Sequence, residues 1–293
     1  MKRNFAIFAV LMLLIASGGR GWAHQDLPAL IARLTAQLST NQNNLEVLLL
    51  RADLYRLHEN WPAARKDYQA AAKLSPRSVE VLLGQAQLHA DMGENPEARH
   101  AFDAVLAQEP TNCAALFGRA RVLTVLGERK AAIDDYSRGL ALSRHPQAEQ
   151  FLERANLQAT EPGPGVAIEG LDEAMARVGW QVRLQQTAVD LELKCTRPDL
   201  ALVRLETILA RSNRKESWLV KKGEILLAAG RAEEARAVFS ETVKAIESLT
   251  PRLRTSPSMN DLRAKVERLL ANLSANSARE KQNLRAPQAA TKR

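Results

Sequence analysis

Small and large apolar residues recur along this chain at a nearly fixed period. Ala64, Ala98, Ala132, Ala167, Ala201 and Ala235 stand 34, 34, 35, 34 and 34 residues apart, and four positions after each comes a bulky residue: Tyr68, Phe102, Tyr136, Leu171, Leu205 and Phe239. Twelve positions before each alanine is another small or short residue: Ala52, Ala86, Ala120, Ala155, Val189 and Gly223. A separation of four puts two side chains on one face of a helix. Helix axes come within about 8 to 10 Å only where the facing side chains are small. The two small positions therefore mark one helix crossing another, and the pattern predicts six helix pairs, over 45–78, 79–112, 113–147, 148–181, 182–215 and 216–249. Breaks fall between them. Pro62 opens a second helix, Gly93, Gly127 and Gly230 end first helices, and the fourth and fifth pairs turn through Glu161-Pro162-Gly163-Pro164-Gly165 and Thr196-Arg197-Pro198. The extra residue and the proline-rich turns predict the least regular stacking around pairs three to five.

The same reading extends to both ends. Leu27, Leu30, Ile31, Leu34 and Leu38 line one face of a helix within 24–44, with Asp26 as its expected N-cap and Pro28 in its first turn. After residue 249 the period stops. Pro251 and Pro257 bound an expected linker, and Asn260 to Leu273 reads as a closing helix with Leu262, Val266, Leu269, Leu270 and Leu273 on one side. Residues 276–293 are polar, basic and aperiodic, and the expectation is disorder.

The second unit, VEVLLGQAQLHADMGENPEARHAFDAVLAQEPTN, resembles the tetratricopeptide repeat, with Leu82, Ala86, Gly93, Ala98, Phe102 and Pro110 at the positions where that family places such residues. The resemblance covers about two thirds of the chain. It implies an all-α fold, a right-handed α-solenoid of six tetratricopeptide-like helix-turn-helix repeats between two capping helices. Gln158 and Glu192 depart from the pattern where the family prefers an aromatic. Composition agrees with stacked helices: aromatics are 4% of the chain while the apolar set reaches 46%, so the core is mostly Leu, Ala and Val.

A net charge of +8 over 293 residues first suggests a polyanion partner. Its distribution argues otherwise. Residues 1–23 hold 3 Lys and Arg against no Asp or Glu, residues 24–250 hold 28 against 30, and residues 251–293 hold 10 against 3. The repeats are near neutral, without the basic face that phosphate binding needs, and no nucleic acid is expected. The leader has Lys2 and Arg3, an apolar run from Phe5 to Ala16 and a polar end closing on Gly21-Trp22-Ala23. That is the architecture of a signal peptide cut after Ala23, its apolar run short of the roughly 20 residues a membrane span requires. The expectation is an exported protein, periplasmic or secreted, with no stable membrane anchor once 1–23 is removed.

Nothing assembles into a catalytic constellation: GxSxG, HExxH, CxxC and glycine-rich phosphate loops are all missing from the sequence. His24, His58, His89, His100 and His145 are scattered, and no metal or cofactor is expected, although His24 as a new N-terminus would offer an amine beside an imidazole. His89 falls at an inward position and reads as a packed histidine with one hydrogen bond. Cys113 and Cys195 belong to repeats three and five, too many helix spacings apart for a disulfide. Asn272-Leu273-Ser274 matches the glycosylation tripeptide but lies on an expected helix.

Surface remains. In the tetratricopeptide family the first helices of successive repeats line a groove that binds partner peptides. By that resemblance the groove positions are Glu46, Leu49, Asp53 and Arg56; Leu83 and Gln87; Phe117 and Arg121; Leu152 and Asn156; Val220 and Glu224. The carboxylate clamp known in the family needs Lys and Asn at the fifth and ninth positions. Here the fifth positions are Leu49, Leu83, Phe117, Leu152, Gln186 and Val220, and only Asn156 matches at a ninth. Leu49, Leu83 and Leu152 can equally pack between neighbouring first helices. The expected function is a non-catalytic exported scaffold or adaptor for a protein or peptide partner. The alternative is an accessory subunit of an envelope assembly or export machine.

Overall fold

The computed structural model describes residues 23–285, with side chains over 27–279, and every regular element among them is a helix. The leader expected to be cut after Ala23 lies almost wholly outside the described residues. The chain divides in the connector between His145 and Pro146 into two compact units.

The first unit holds α1 (Ala23–Thr40), then the pairs α2 (Leu45–Leu57) and α3 (Trp61–Leu74), α4 (Val79–Asp91) and α5 (Asn95–Gln108), and α6 (Cys113–Val125) and α7 (Arg129–Leu142). The second holds α8 (Ala148–Gln158) and α9 (Pro164–Val178), α10 (Val182–Lys194) and α11 (Pro198–Arg211), and α12 (Glu216–Ala228) and α13 (Ala232–Glu247), followed by α14 (Pro251–Arg254) and α15 (Pro257–Arg285). Within each unit, successive long helices pack on one another, and the first helices α2 and α4, α4 and α6, and α8 and α10 also touch. The five-residue connector 143–147 is one residue longer than 75–78 or 109–112, and it absorbs the 35-residue interval at the place where the units divide.

Local chemistry explains the helix ends. Asn44, Ser78 and Asn112 cap α2, α4 and α6, each side chain accepting the backbone N–H three residues on. Prolines 62, 96, 164 and 198 sit in the first turn of second helices, where no intrahelical donor is needed. The turns between paired helices share a bond that spans five residues, as from Glu94 N–H to the carbonyl of His89 and from Arg197 N–H to that of Glu192. Such a turn needs one residue at positive φ. Gly93 supplies it at 75°, but Glu59 at 56° and Thr196 at 55° adopt the same conformation with a Cβ.

The periodic residues are the core. Ala64, Ala98, Ala132, Ala167, Ala201 and Ala235 are all 0% exposed, and the bulky residues four positions later are exposed by 1% or less. Tyr68 and Phe102 each cross from a second helix onto the first helix of the next repeat, where a methyl group at Gly84 or Gly118 would overlap their rings.

Both caps are present with changed bounds. α1 begins at Ala23, so Asp26 is not its N-cap and Pro28 lies inside it. Pro28 lies just beyond the four donors that any helix start leaves unpaired, so its missing N–H costs this helix one bond, to the carbonyl of His24. Leu34 and Leu38 are buried from this helix. At the other end the expected linker is partly helical, because Pro251 and Pro257 begin helices α14 and α15. α15 then continues to Arg285, through ten residues expected to be disordered; Ala, Arg, Glu, Lys and Gln there favour helix and no proline intervenes before Pro287. α15 runs antiparallel to α13, with Arg263 3.6 Å from Glu247 and Arg236 donating to the Leu273 carbonyl.

A non-glycine residue in the left-handed region costs roughly 1 to 2 kcal/mol. Glu59→Gly is expected to raise stability by up to about 1 kcal/mol, the gain reduced by the larger chain entropy of unfolded glycine. Urea melts at unchanged m-value measure it, and a lowered midpoint contradicts it.

Candidate partner-binding groove

In the first unit the residues assigned to the groove divide by burial. Glu46 and Arg121 are exposed, whereas Leu49, Asp53, Arg56, Leu83 and Gln87 are half-buried on the faces of α2 and α4. Phe117 is 6% exposed and lies against α7, where a Cβ on Gly139 would be 2.7 Å from its ring. It is a core residue and offers no surface to a partner. Leu49 packs on the buried clusters around Leu48 and Ala52, and Leu83 on the one around Phe102. Of the fifth positions in this unit, Phe117 is covered by α7 while Leu49 and Leu83 stay partly open.

The polar groups here form one network. Tyr68 crosses beneath α2 and donates its hydroxyl to Asp53 Oδ1 at 2.5 Å. Arg56 lies 3.7 Å from the same carboxylate and donates to Asp91 on α4. Burial, followed by the Asp53 charge and hydrogen bond, pushes the Tyr68 phenol far above its ordinary value, so it stays a donor. For Arg56 burial favours deprotonation, but its bond to Asp91 together with the charges of Tyr68, Asp91 and Asp53 outweighs that and its pKa is raised. The carboxylate of Asp53 is thus held by a rigid aromatic while its side chain remains 41% exposed. Gln87 on the next first helix presents an amide, both donor and acceptor.

In the second unit Leu152 and Val220 are 5% and 3% exposed and belong to the core, while Asn156 is exposed. An ion-pair ladder links first helices: Arg183 to Glu149 at 2.7 Å, Lys221 to Asp190 at 2.5 Å, and Lys265 of α15 to Glu224 at 2.6 Å. α15 therefore stands beside α12 as a further first helix would, and Glu224 is already engaged by it.

Several features escaped the sequence pattern. Arg51 forks onto Asp67 at 2.7 Å, and Arg119 bridges Asp135 at 2.6 Å and Asp103 at 2.7 Å. Both arginines pair with an aspartate sixteen residues later, a spacing readable in the sequence as a first-helix to second-helix contact. The bond to Asp135 and then that to Asp103 hold Arg119 firmly protonated. Buried Glu192, where an aromatic was expected, is neutralised by Arg204 at 3.1 Å. His89 meets Glu94 at 2.5 Å, and Cys113 and Cys195 are both free thiols. Among the described residues no group of three or more His, Cys, Asp or Glu is placed to hold a metal, and no helix is long and apolar enough to cross a membrane.

Further concavities lie where second helices pack beside first helices. Their volumes are about 470 Å³ between α11 and α13, 280 Å³ between α5 and α7, and 90 Å³ between α3 and α4.

Comparison with known proteins agrees with this architecture. The sequence model of the tetratricopeptide repeat matches residues 49–91, 83–155 and 187–248. No curated protein matches the chain. Among solved structures, a tetratricopeptide repeat protein from Parabacteroides merdae is 17% identical, covers 83% of this chain and 93% of its own, and superposes with a TM-score of 0.52. PilW, a type IV pilus biogenesis factor, is 21% identical over 64% of this chain and 87% of its own, with a TM-score of 0.56. YrrB, a protein with an unusual peptide-binding site, is 14% identical over 64% and 95%, with a TM-score of 0.50. At these identities the likeness is one of fold. With the family's repeat matched over more than half its length and its small-residue positions forming the core, the chain belongs to the tetratricopeptide repeat family.

Proposed function

We propose that this protein is a non-catalytic scaffold, exported from the cytoplasm, that holds an extended protein segment against the first helices of its amino-terminal unit. The observation that carries the reading is the fixed Asp53 carboxylate, oriented by Tyr68 and carried on α2, which also holds half-open Leu49, beside α4, which holds half-open Leu83 and Gln87. Pre-positioned side chains lose little entropy on binding. Gln87 suits a peptide unit, the half-open leucines suit apolar anchors, and Asp53 suits an amide or a cationic side chain. Tetratricopeptide folds generally serve as protein-interaction scaffolds, and YrrB has a peptide-binding site. PilW supports a second reading within the same class, an accessory subunit of an envelope assembly. Export rests on the leader at residues 1–23, and removal of that leader would place the protein in the periplasm or outside the cell.

A photo-crosslinking residue at Gln87 is expected to trap a partner in cells, while one at exposed Lys66 on α3 does not, and Asp53→Ala is expected to abolish the Gln87 product. Equal trapping at both positions, or trapping indifferent to Asp53, contradicts the groove. Amino-terminal sequencing of the protein from envelope fractions is expected to begin at His24; a chain retaining its leader in the cytoplasm contradicts export.

A further inference from the structure

The cleft between α11 and α13 differs in chemistry from the one at the same repeat positions between α5 and α7. In the latter, Arg119 bridges Asp103 and Asp135, and Arg99 and Asp134 complete a charged lining. Between α11 and α13 the equivalents of Asp103 and Arg119 survive as Glu206 and Lys222, joined at 2.6 Å. The equivalents of Arg99, Asp134 and Asp135 are Leu202, Ala237 and Val238. With one ion pair in place of a bridged triad, the floor is apolar and the volume rises from about 280 to about 470 Å³. Val203, 63% exposed, extends the apolar strip onto the flank of α11.

The rim carries a sign. Asp199 and Glu206 bracket Leu202 and Val203 on α11, while Glu234 and Glu241 bracket Ala237 and Val238 on α13. On each helix the order is carboxylate, two apolar residues, carboxylate, at spacings that share one face. Three carboxylates line the cleft with two cations, Lys222 serving Glu206 and Arg231 divided between Asp199 at 2.9 Å and Glu234 at 2.6 Å, and Glu241 continues the acidic face of α13 beyond the lining. Charge complementarity therefore selects a cationic occupant, and the strip between two helices selects a helical one.

We propose that this cleft is a second docking surface, separate from the first-helix groove, for an amphipathic partner helix with apolar residues at i, i+4 and i+7 flanked by lysine or arginine. Its leucine-sized anchors cover Leu202, Val203 and Val238, and its cations meet the surplus carboxylates.

The test uses the full chain and a fluorescent synthetic helix of roughly four turns, with leucines at i, i+4 and i+7 and flanking lysines. A second peptide has glutamates in place of the lysines. Anisotropy is expected to show saturable, salt-sensitive binding of the lysine peptide and none of the glutamate peptide. Val203→Lys, at an exposed position that the fold tolerates, is expected to weaken binding by roughly tenfold or more. Val125→Lys, at a 69% exposed valine of the other unit, leaves it unchanged. Equal binding of both peptides, or binding that survives Val203→Lys, overturns the proposal. Two other results also overturn it by giving the cleft another occupant. Tighter peptide binding after Lys292→Glu with Arg293→Glu assigns it to the chain's own carboxyl terminus. An oligomer of the unmodified chain, seen by sedimentation and dissociated by Val203→Lys, assigns it to a second copy.

Discussion

The closeness of helix crossings is the constraint on which the rest of this structure depends. At each crossing an alanine, valine or glycine of a first helix faces an alanine of a second, and their small size lets the backbones approach until dispersion contacts are dense. The bulky residue four positions beyond, aromatic in four repeats and leucine in two, fills the space this leaves. Tyr68 and Phe102 reach the next repeat at Gly84 and Gly118, where even one methyl group would not fit. Stacking within a unit is therefore fixed by volume, and buried apolar residues without these sizes would pack with less definition.

Charge adds register to this apolar frame. Arg51 with Asp67 and Arg119 with Asp103 and Asp135 span neighbouring helices at partly buried positions. Such pairs are weak evidence for added stability, because desolvation offsets much of the Coulomb gain, but losing one partner strands the other. Where Val238 replaces the second-helix aspartate, a single Lys222–Glu206 pair remains and the neighbouring cleft turns apolar. The same position of the repeat thus acts as a stitch in one unit and as an opening in the other. Tyr68 joins the two roles directly, its ring in the core and its hydroxyl on a surface carboxylate.

The fold was legible because the crossings leave a trace of residue size at fixed spacing, and all six alanines proved fully buried. The turns at Gly93, Gly127 and Gly230 were legible from residue type. At Glu59 and Thr196 the place of the turn was legible from Pro62 and Pro198, but the positive φ was not, since neither residue type prefers that conformation. The end of α15 was missed because its last turns are polar without periodicity, and helix propensity rather than an apolar face continues it. The candidate groove could be assigned in the sequence as a set of positions but not as a surface. Whether a fifth-position residue lies open depends on its neighbours, and Phe117, Leu152 and Val220 are covered where Leu49 and Leu83 are half-open. The Tyr68–Asp53 bond joins residues fifteen apart on different helices and has no one-dimensional signature.

Adjacent alanines on α7 allow the central claim to be tested on one helix. Ala132 is fully buried at a crossing and Ala131 beside it is exposed, so replacing either with leucine makes the same chemical change with nearly the same helix propensity. Calorimetric unfolding of the two variants is the decisive measurement. If closeness of the crossing governs the fold, Ala132→Leu loses on the order of 1 to 3 kcal/mol or more, while Ala131→Leu stays within about 0.5 kcal/mol of the parent. Equal losses, or a stabilised Ala132→Leu, would contradict it.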